Sequence, residues 1–257
     1  MYEITTLRVD CRGREAVVEV FGTGPDVVMV GAASPMALVR PAAGVLAQQG
    51  FKVTNLDYGS GHPSPEPRSA LDQVGDVVTV MDAVGIVSAL IVGISRGAIT
   101  AYGLASLHPG RARGLVLTVP VSGFRDSLRA APRDDEDLVE APPEMTIEQI
   151  LGAVFSAEFL ATHLHEAVDL VDTPEGSVTR LERSDEAPFP HGMSVDCPTL
   201  IIEGEADSIV SGEHPARYVE AIPGARHVSI PRAPHGWPME APGAFAEMVA
   251  EFSRSLD

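Results

Sequence analysis

The sequence predicts a doubly wound α/β fold: a mostly parallel sheet of about eight strands, with helices on both faces and a helical lid insertion. Two observations carry this. Short, continuously apolar runs alternate with segments of helical spacing, the rhythm of repeated strand–helix–strand units. That rhythm stops near residue 125 and resumes after residue 190, so 125–190 reads as an inserted lid. Residues 1–124 and 191–257 then form the core domain. The chain has 257 residues, a length that one α/β domain commonly reaches.

The elements follow in order. Residues 4–9 and 16–21 read as a hairpin turning at Arg12-Gly13-Arg14. Residues 27–30 are continuously apolar and end at Gly31, which suits a buried parallel strand. Helical spacing covers 41–49 and is closed by Gly50; residues 52–56 form the next strand, ending at Asp57. Residues 71–84 read as helix, 89–94 as strand, and 96–107 as a helix closed by His108-Pro109-Gly110. Gly114 leads into a strand at 115–119. The insertion holds an acidic linker, helical stretches at 146–163 and 164–171, and a proline-containing exit. Strands at 198–202 and 227–230 then alternate with helices at 213–221 and 242–256. Such an insertion lies over the strand ends, where open α/β sheets bind ligands.

Composition narrows the partners. With 36 Asp+Glu against 18 Lys+Arg, the formal net charge is −18. Nucleic acid and anionic membrane surfaces attract basic proteins, so neither is expected as a partner. Of the basic residues only Lys52 is lysine, the bias of a GC-rich bacterial genome. Cys11 and Cys197 lie far apart without metal-ligand spacing, which speaks against a disulfide scaffold. The N-terminus lacks the basic and apolar regions of a signal peptide. No apolar run approaches the roughly 20 residues that span a bilayer. A cytoplasmic monomer or homodimer acting on a small molecule is the expectation.

The chemistry centres on Val92-Gly93-Ile94-Ser95-Arg96-Gly97-Ala98, a Gly-x-Ser-x-Gly between an apolar strand and a helix. The turn is too tight for flanking side chains, so glycine stands on both sides. Ser95 is thereby held at a helix N-terminus, where the dipole and free N–H groups favour negative charge. A serine hydroxyl is a weak nucleophile and needs a base, which needs an orienting acid. The chain order serine, acid, histidine suits this architecture. Asp207 follows the strand ending in Glu203-Gly204, with Glu205 as the rival acid. Of eight histidines, only His235 has both the right order and a loop between the last strand and the last helix.

These positions resemble the α/β-hydrolase fold superfamily, and the likeness runs over nearly the full length. The segment from Asp57 to Ser64 is similar to the family's Asp-x-x-Gly-x-Gly-x-Ser loop, with one residue fewer between the Asp and the first Gly. Gly204-Glu205-Ala206-Asp207 resembles its Gly-x-x-Asp, and Glu240 and Pro242 also fit the stretch after its histidine. The resemblance implies Ser95 as nucleophile, His235 as general base then acid, and Asp207 as the orienting carboxylate. Many relatives carry His-Gly after the third strand; here Val30 precedes Gly31. An oxyanion hole needs backbone donors instead of that side chain, so Ala32 N–H with Arg96 N–H serve, with Ala33 as the alternative to Ala32. Arg96 itself either meets a substrate carboxylate or lid acid, or is a surface arginine or one paired with an acidic neighbour within the fold.

Apolar residues of the insertion, including Phe155 and Phe159, recur at helical spacing. Most pack the lid, and part of the stripe lines the substrate channel. Ala33, Met36 and Trp237 are further candidates for the pocket wall. Such a pocket suits a medium-sized, largely apolar ester, thioester or lactone. Two alternatives stand beside serine hydrolysis: C–C bond cleavage or a lyase reaction on the same triad, and a catalytically silent ligand-binding protein. No cofactor is required. No metal is expected, because His163 and His165 are two apart and point to different faces of a helix. Residues 125–190 hold 16 acidic and 5 basic side chains, so the charge concentrates in the lid.

Overall fold

The computed structural model describes residues 3–13, 15–31, 36–57, 70–122, 146–171, 193–210 and 212–256. Eight strands form one sheet: β1 (Ile4–Asp10), β2 (Glu15–Phe21), β3 (Asp26–Gly31), β4 (Lys52–Asp57), β5 (Ala89–Ile94), β6 (Ala112–Thr118), β7 (Thr199–Gly204) and β8 (Arg226–Ile230). Their spatial order is β1-β2-β4-β3-β5-β6-β7-β8. β1 and β2 pair antiparallel, as do β2 and β4; every other pair is parallel. The parallel strands therefore end on one edge, and β5 and β7 deliver their following loops to that edge.

Between the strands run α1 (Met36–Gln48), α2 (Ala70–Ala83), α3 (Gly97–Leu107), α4 (Ile147–Val154), α5 (Ala157–Val171), α6 (Glu213–Ala221), α7 (Trp237–Glu240) and α8 (Pro242–Arg254). The pleat divides the core in two. On β5, Ala89 and Ile91 pack with α2, α3 and α6, whereas Leu90, Val92 and Ile94 pack with α1 and α8. Both faces are covered, which explains why the central strands are apolar throughout instead of alternating. Helix α3 is likewise apolar on all sides, and its residues from Gly97 to Ala105 are buried.

Three elements differ from the sequence reading. The helix expected over 41–49 begins at Met36, so Pro41 lies inside it. Proline at a helix start is the usual preference. Here the burial of Val39, Ala42, Ala43 and Leu46 against the sheet outweighs the backbone bond that Pro41 cannot donate. The spacing also predicts helices over 146–163 and 164–171. The chain has an additional break at Phe155 and Ser156, and His163, non-helical at φ −127° and ψ 24°, divides α5 into two helices joined across a kink at the expected boundary. A capping box starts α4: Thr146 Oγ1 accepts from Gln149 N–H at 3.2 Å, and Gln149 Oε1 accepts from Thr146 N–H at 2.8 Å. The short helix α7 just after His235 is absent from the sequence reading, although Pro238 in its first turn is a helix-start signal.

The linker acids Asp134 to Asp137, the loop from Tyr58 to Ser64, and the expected oxyanion donors Ala32 and Ala33 lie outside the described residues. Among the described residues, no helix is long and apolar enough to cross a membrane. Cys11 and Cys197 are both free thiols.

Candidate active site

Ser95 sits between β5 and α3 in the left-handed region, with φ +55°. A non-glycine residue there is strained by about 1–2 kcal/mol. Backbone bonds hold it: Ser95 N–H donates to Thr118 O at 3.0 Å, and Ser95 O accepts from Ala98 N–H at 3.0 Å and Val121 N–H at 3.2 Å. The flanking glycines are required by contact. A Cβ on Gly97 would lie 1.9 Å from Val30 O, and one on Gly93 would lie 2.7 Å from Ala98 Cα. This turn therefore presses α3 against the end of β3.

Asp207 stands in the turn after β7, where its N–H donates to Gly204 O at 3.1 Å. Its Oδ1 accepts from the N–H groups of Ile209 and Val210 at 2.9 and 2.8 Å. Its Oδ2 is 2.8 Å from His235 Nδ1. A carboxylate only accepts, so Nδ1 carries the proton and Nε2 is left as the acceptor. Nε2 lies 3.0 Å from Ser95 Oγ, whose hydroxyl donates to it. Both polar side chains are sheltered, that of Asp207 at 3 % exposure and that of His235 at 11 %.

A family model described as the alpha/beta hydrolase family matches residues 20–248. The chain belongs to that family. A zearalenone hydrolase of Cladophialophora bantiana is 28% identical over 91% of this chain and 90% of its own. A 2-hydroxy-6-oxononadienedioate/2-hydroxy-6-oxononatrienedioate hydrolase of Burkholderia vietnamiensis is 26% identical over 94% and 88%. Among solved structures, the enol-lactonase of Burkholderia xenovorans LB400 superposes with a TM-score of 0.76 at 22% identity, covering 97% of this chain and all of that one. At that identity the likeness speaks for the shared fold.

Within this alpha/beta hydrolase, the structure brings Ser95, Asp207 and His235 into one hydrogen-bonded array. Glu205, the rival acid, is exposed, and its N–H donates to Ile230 O at 3.1 Å. Arg96 forms the N-cap of α3 and is half-buried; that burial lowers its pKa from the usual value. Met36 is the first residue of α1. Trp237 is buried in the core and meets Phe245 edge-on, with ring centroids 5.5 Å apart, so its ring is core packing. Phe155 is buried against Gly236, and it stacks on the half-buried Phe159 at 5.1 Å. A cavity of about 260 Å³ adjoins Asp207, lined also by Val119, Glu203, Glu205 and Val210; Ser95 and His235 are not among its lining residues. Among the described residues, no group of three or more His, Cys, Asp or Glu is arranged to hold a metal.

Sequence reasoning missed the support behind Ser95. Helix α6 presents His214 and Tyr218 one turn apart to the chain leaving β6. His214 Nδ1 accepts from Ser122 N–H at 3.1 Å and lies 2.8 Å from Ser122 Oγ. Tyr218 OH donates to Val121 O at 2.8 Å, and Val121 N–H is the group bonded to Ser95 O. The i, i+4 spacing was readable, but its target lies more than 90 residues away in sequence.

Proposed function

We propose that this chain is a serine hydrolase of carboxylic esters, thioesters or lactones, acting through an acyl-enzyme on Ser95. The observation that carries this reading is the array from Ser95 Oγ to His235 to Asp207, at 3.0 and 2.8 Å, with the serine on a strained turn at the N-terminus of a buried helix. His235 Nε2 takes the hydroxyl proton as Ser95 attacks the carbonyl carbon. The imidazolium so formed keeps its bond to Asp207, which stays ionised. The oxyanion is held by Arg96 N–H and, on the sequence reading, Ala32 N–H; each such donor contributes about 10²–10³-fold to the rate. His235 then protonates the leaving oxygen or sulfur, and the acyl group remains on Ser95. Water enters, gives its proton to His235, and releases the acid as Ser95 recovers its hydrogen. No cofactor takes part in these steps.

In this reading residues 125–190 form a lid over the core domain, and Phe159 and other apolar lid residues meet the acyl or leaving group. The lid's acidity favours neutral or cationic substrates over anionic ones. For matched substrates of opposite charge, kcat/KM is expected to converge as salt rises; equal salt dependence would remove the steering claim.

The test combines labelling and turnover. A fluorophosphonate is expected to modify Ser95 on the folded protein and to leave Ser95→Ala unmodified. A panel of acyl esters, thioesters, lactones and β-diketones is then run on both proteins. Turnover of an oxygen or sulfur ester that Ser95→Ala loses supports the reading. Turnover confined to β-diketones would replace it with C–C hydrolysis, and no labelling would remove the active nucleophile.

A further inference from the structure

The break between α4 and α5 leaves helix-end groups that need partners. The last carbonyls of α4 and the first N–H groups of α5 cannot be satisfied within their own helices. Their partners come from the two loops that carry Asp207 and His235. Ser208 Oγ, one residue after Asp207, donates to Ala153 O at 3.0 Å. Gly236 N–H, one residue after His235, donates to Val154 O at 2.7 Å. Gly236 also faces the Phe155 ring so closely that a Cβ there would lie 2.6 Å from Phe155 Cδ1.

The third tie is a pair of charge-assisted hydrogen bonds. Glu240 Oε1 accepts from Ser156 N–H at 2.6 Å, and its Oε2 accepts from Ser156 Oγ–H at 2.8 Å. The same hydroxyl oxygen accepts from Phe159 N–H at 3.1 Å. Both carboxylate oxygens are thus used, and the negative charge sits against the first turn of α5, where the helix dipole favours it. Four consecutive residues, Ala153 to Ser156, therefore meet the acid loop, the base loop and the helix that follows the base.

We propose that Glu240 is a positioning residue for His235: through Ser156 it clasps the α4–α5 bend onto the base loop and fixes the imidazole between Asp207 and Ser95. The proposal rests on the reading of His235 as the base. The bend is then a fixed anchor of the lid instead of its moving edge. The clasp's effect is on the placement of a ring whose two hydrogen bonds must both be kept, and a displacement of about 1 Å at such a group costs on the order of 10²-fold in rate.

The experiment compares Glu240→Ala, Glu240→Gln, Ser156→Ala and Ser156→Thr with wild type and with Val168→Ala. Val168 packs in the small apolar cluster of the helix pair and takes no part in the three ties. The first readout needs no substrate: the far-downfield proton resonance of His235 Nδ1–H and its exchange with water. The second is kcat and KM on an ester that wild type turns over. Glu240→Ala and Ser156→Ala are expected to speed exchange of the Nδ1 proton and to lower kcat about 10- to 100-fold, with KM within about threefold. Ser156→Thr keeps the hydroxyl and is expected to restore both. Glu240→Gln can accept at only one oxygen, so it is expected to fall between wild type and Glu240→Ala. It keeps the test open if the alanine variant does not fold.

Val168→Ala is expected to lower Tm and leave the resonance unchanged. The proposal is overturned if Glu240→Gln and Ser156→Ala lose stability as Val168→Ala does while the Nδ1 proton and kcat stay at wild-type values. Failure of the hydrolase reading appears separately, as wild type that turns over no ester while the resonance still responds to Glu240.

Discussion

The two halves of the active array are held in different ways. Ser95 belongs to the middle of the sheet, and every described bond on its backbone is to another backbone group: Thr118, Ala98 and Val121. Its neighbours Gly93 and Gly97 admit no side chain. His235 and Asp207 follow β8 and β7 at the sheet's edge, and the residues of β8 are exposed or half-buried throughout. Their loops are joined to each other by Ala206 N–H on Ala233 O at 3.0 Å. They are joined to α4 and α5 by Ser208, Gly236 and Glu240. Ser95 is thus placed by the fold itself, whereas the loop of His235 is also held by contacts from α4 and α5.

The largest expected effects fall on the array. Ser95→Ala removes the proposed nucleophile and is expected to lower kcat by about 10⁵- to 10⁶-fold, read in single-turnover and steady-state assays. Asp207→Asn keeps the shape but offers an amide where Nδ1–H needs an acceptor, which favours the wrong tautomer. About 10⁴-fold loss in kcat is expected, with an unchanged circular dichroism spectrum. A variant of Asp207 that kept full activity would move the acid to another residue and undo the comparison at its first step.

Next comes the contact that fixes the serine. Gly97→Ala forces a Cβ onto Val30 O, and neither backbone can yield without shifting β3 from α3. A loss of stability of about 3 kcal/mol or more is expected by urea denaturation, and a protein that does not fold is the extreme of the same result. Gly212→Ala is the matching change beside α6, where an added Cβ meets nothing within 4 Å; about 1 kcal/mol or less is expected there. Equal effects at the two glycines would show that close packing at the elbow is not what holds Ser95.

The same contrast explains what could be read from the sequence. Ser95, Gly93 and Gly97 form one short motif because the strand, the turn and the helix they serve are contiguous. Asp207 and His235 were readable because each stands directly after a strand of the sheet. The clasp was not: Ser156 and Glu240 are 84 residues apart, and a serine or a glutamate in a loop has many unremarked uses. Helical spacing in the insertion pointed correctly to helices. It did not show the break at Phe155, where the local mark is a serine N-cap, Ser156 Oγ accepting from Phe159 N–H at 3.1 Å, and the other partners come from the core. Pro41 misled for a related reason, since burial of α1 against the sheet overrides the local preference for a proline at a helix start.

The smallest expected effects separate the two modes of support most cleanly. Tyr218 is fully buried, and burial raises its pKa well above the usual value, so its hydroxyl stays protonated and donates to Val121 O. Tyr218→Phe leaves that buried carbonyl short of a donor and is expected to cost about 1–3 kcal/mol of stability. Activity is expected to stay within about threefold, because Ser95 keeps its bonds to Thr118 and Ala98. Ser208 is exposed and gives one bond to Ala153 O, so Ser208→Ala is expected to cost less than about 1 kcal/mol. It loosens one of the three ties at the acid and base loops, and kcat is expected to fall about two- to fivefold. One variant loses stability without rate and the other rate without stability. Denaturation midpoints and kcat measured on the same two preparations decide it. A Tyr218→Phe enzyme that is stable but slow would make the nucleophile, too, depend on side chains remote from its own turn.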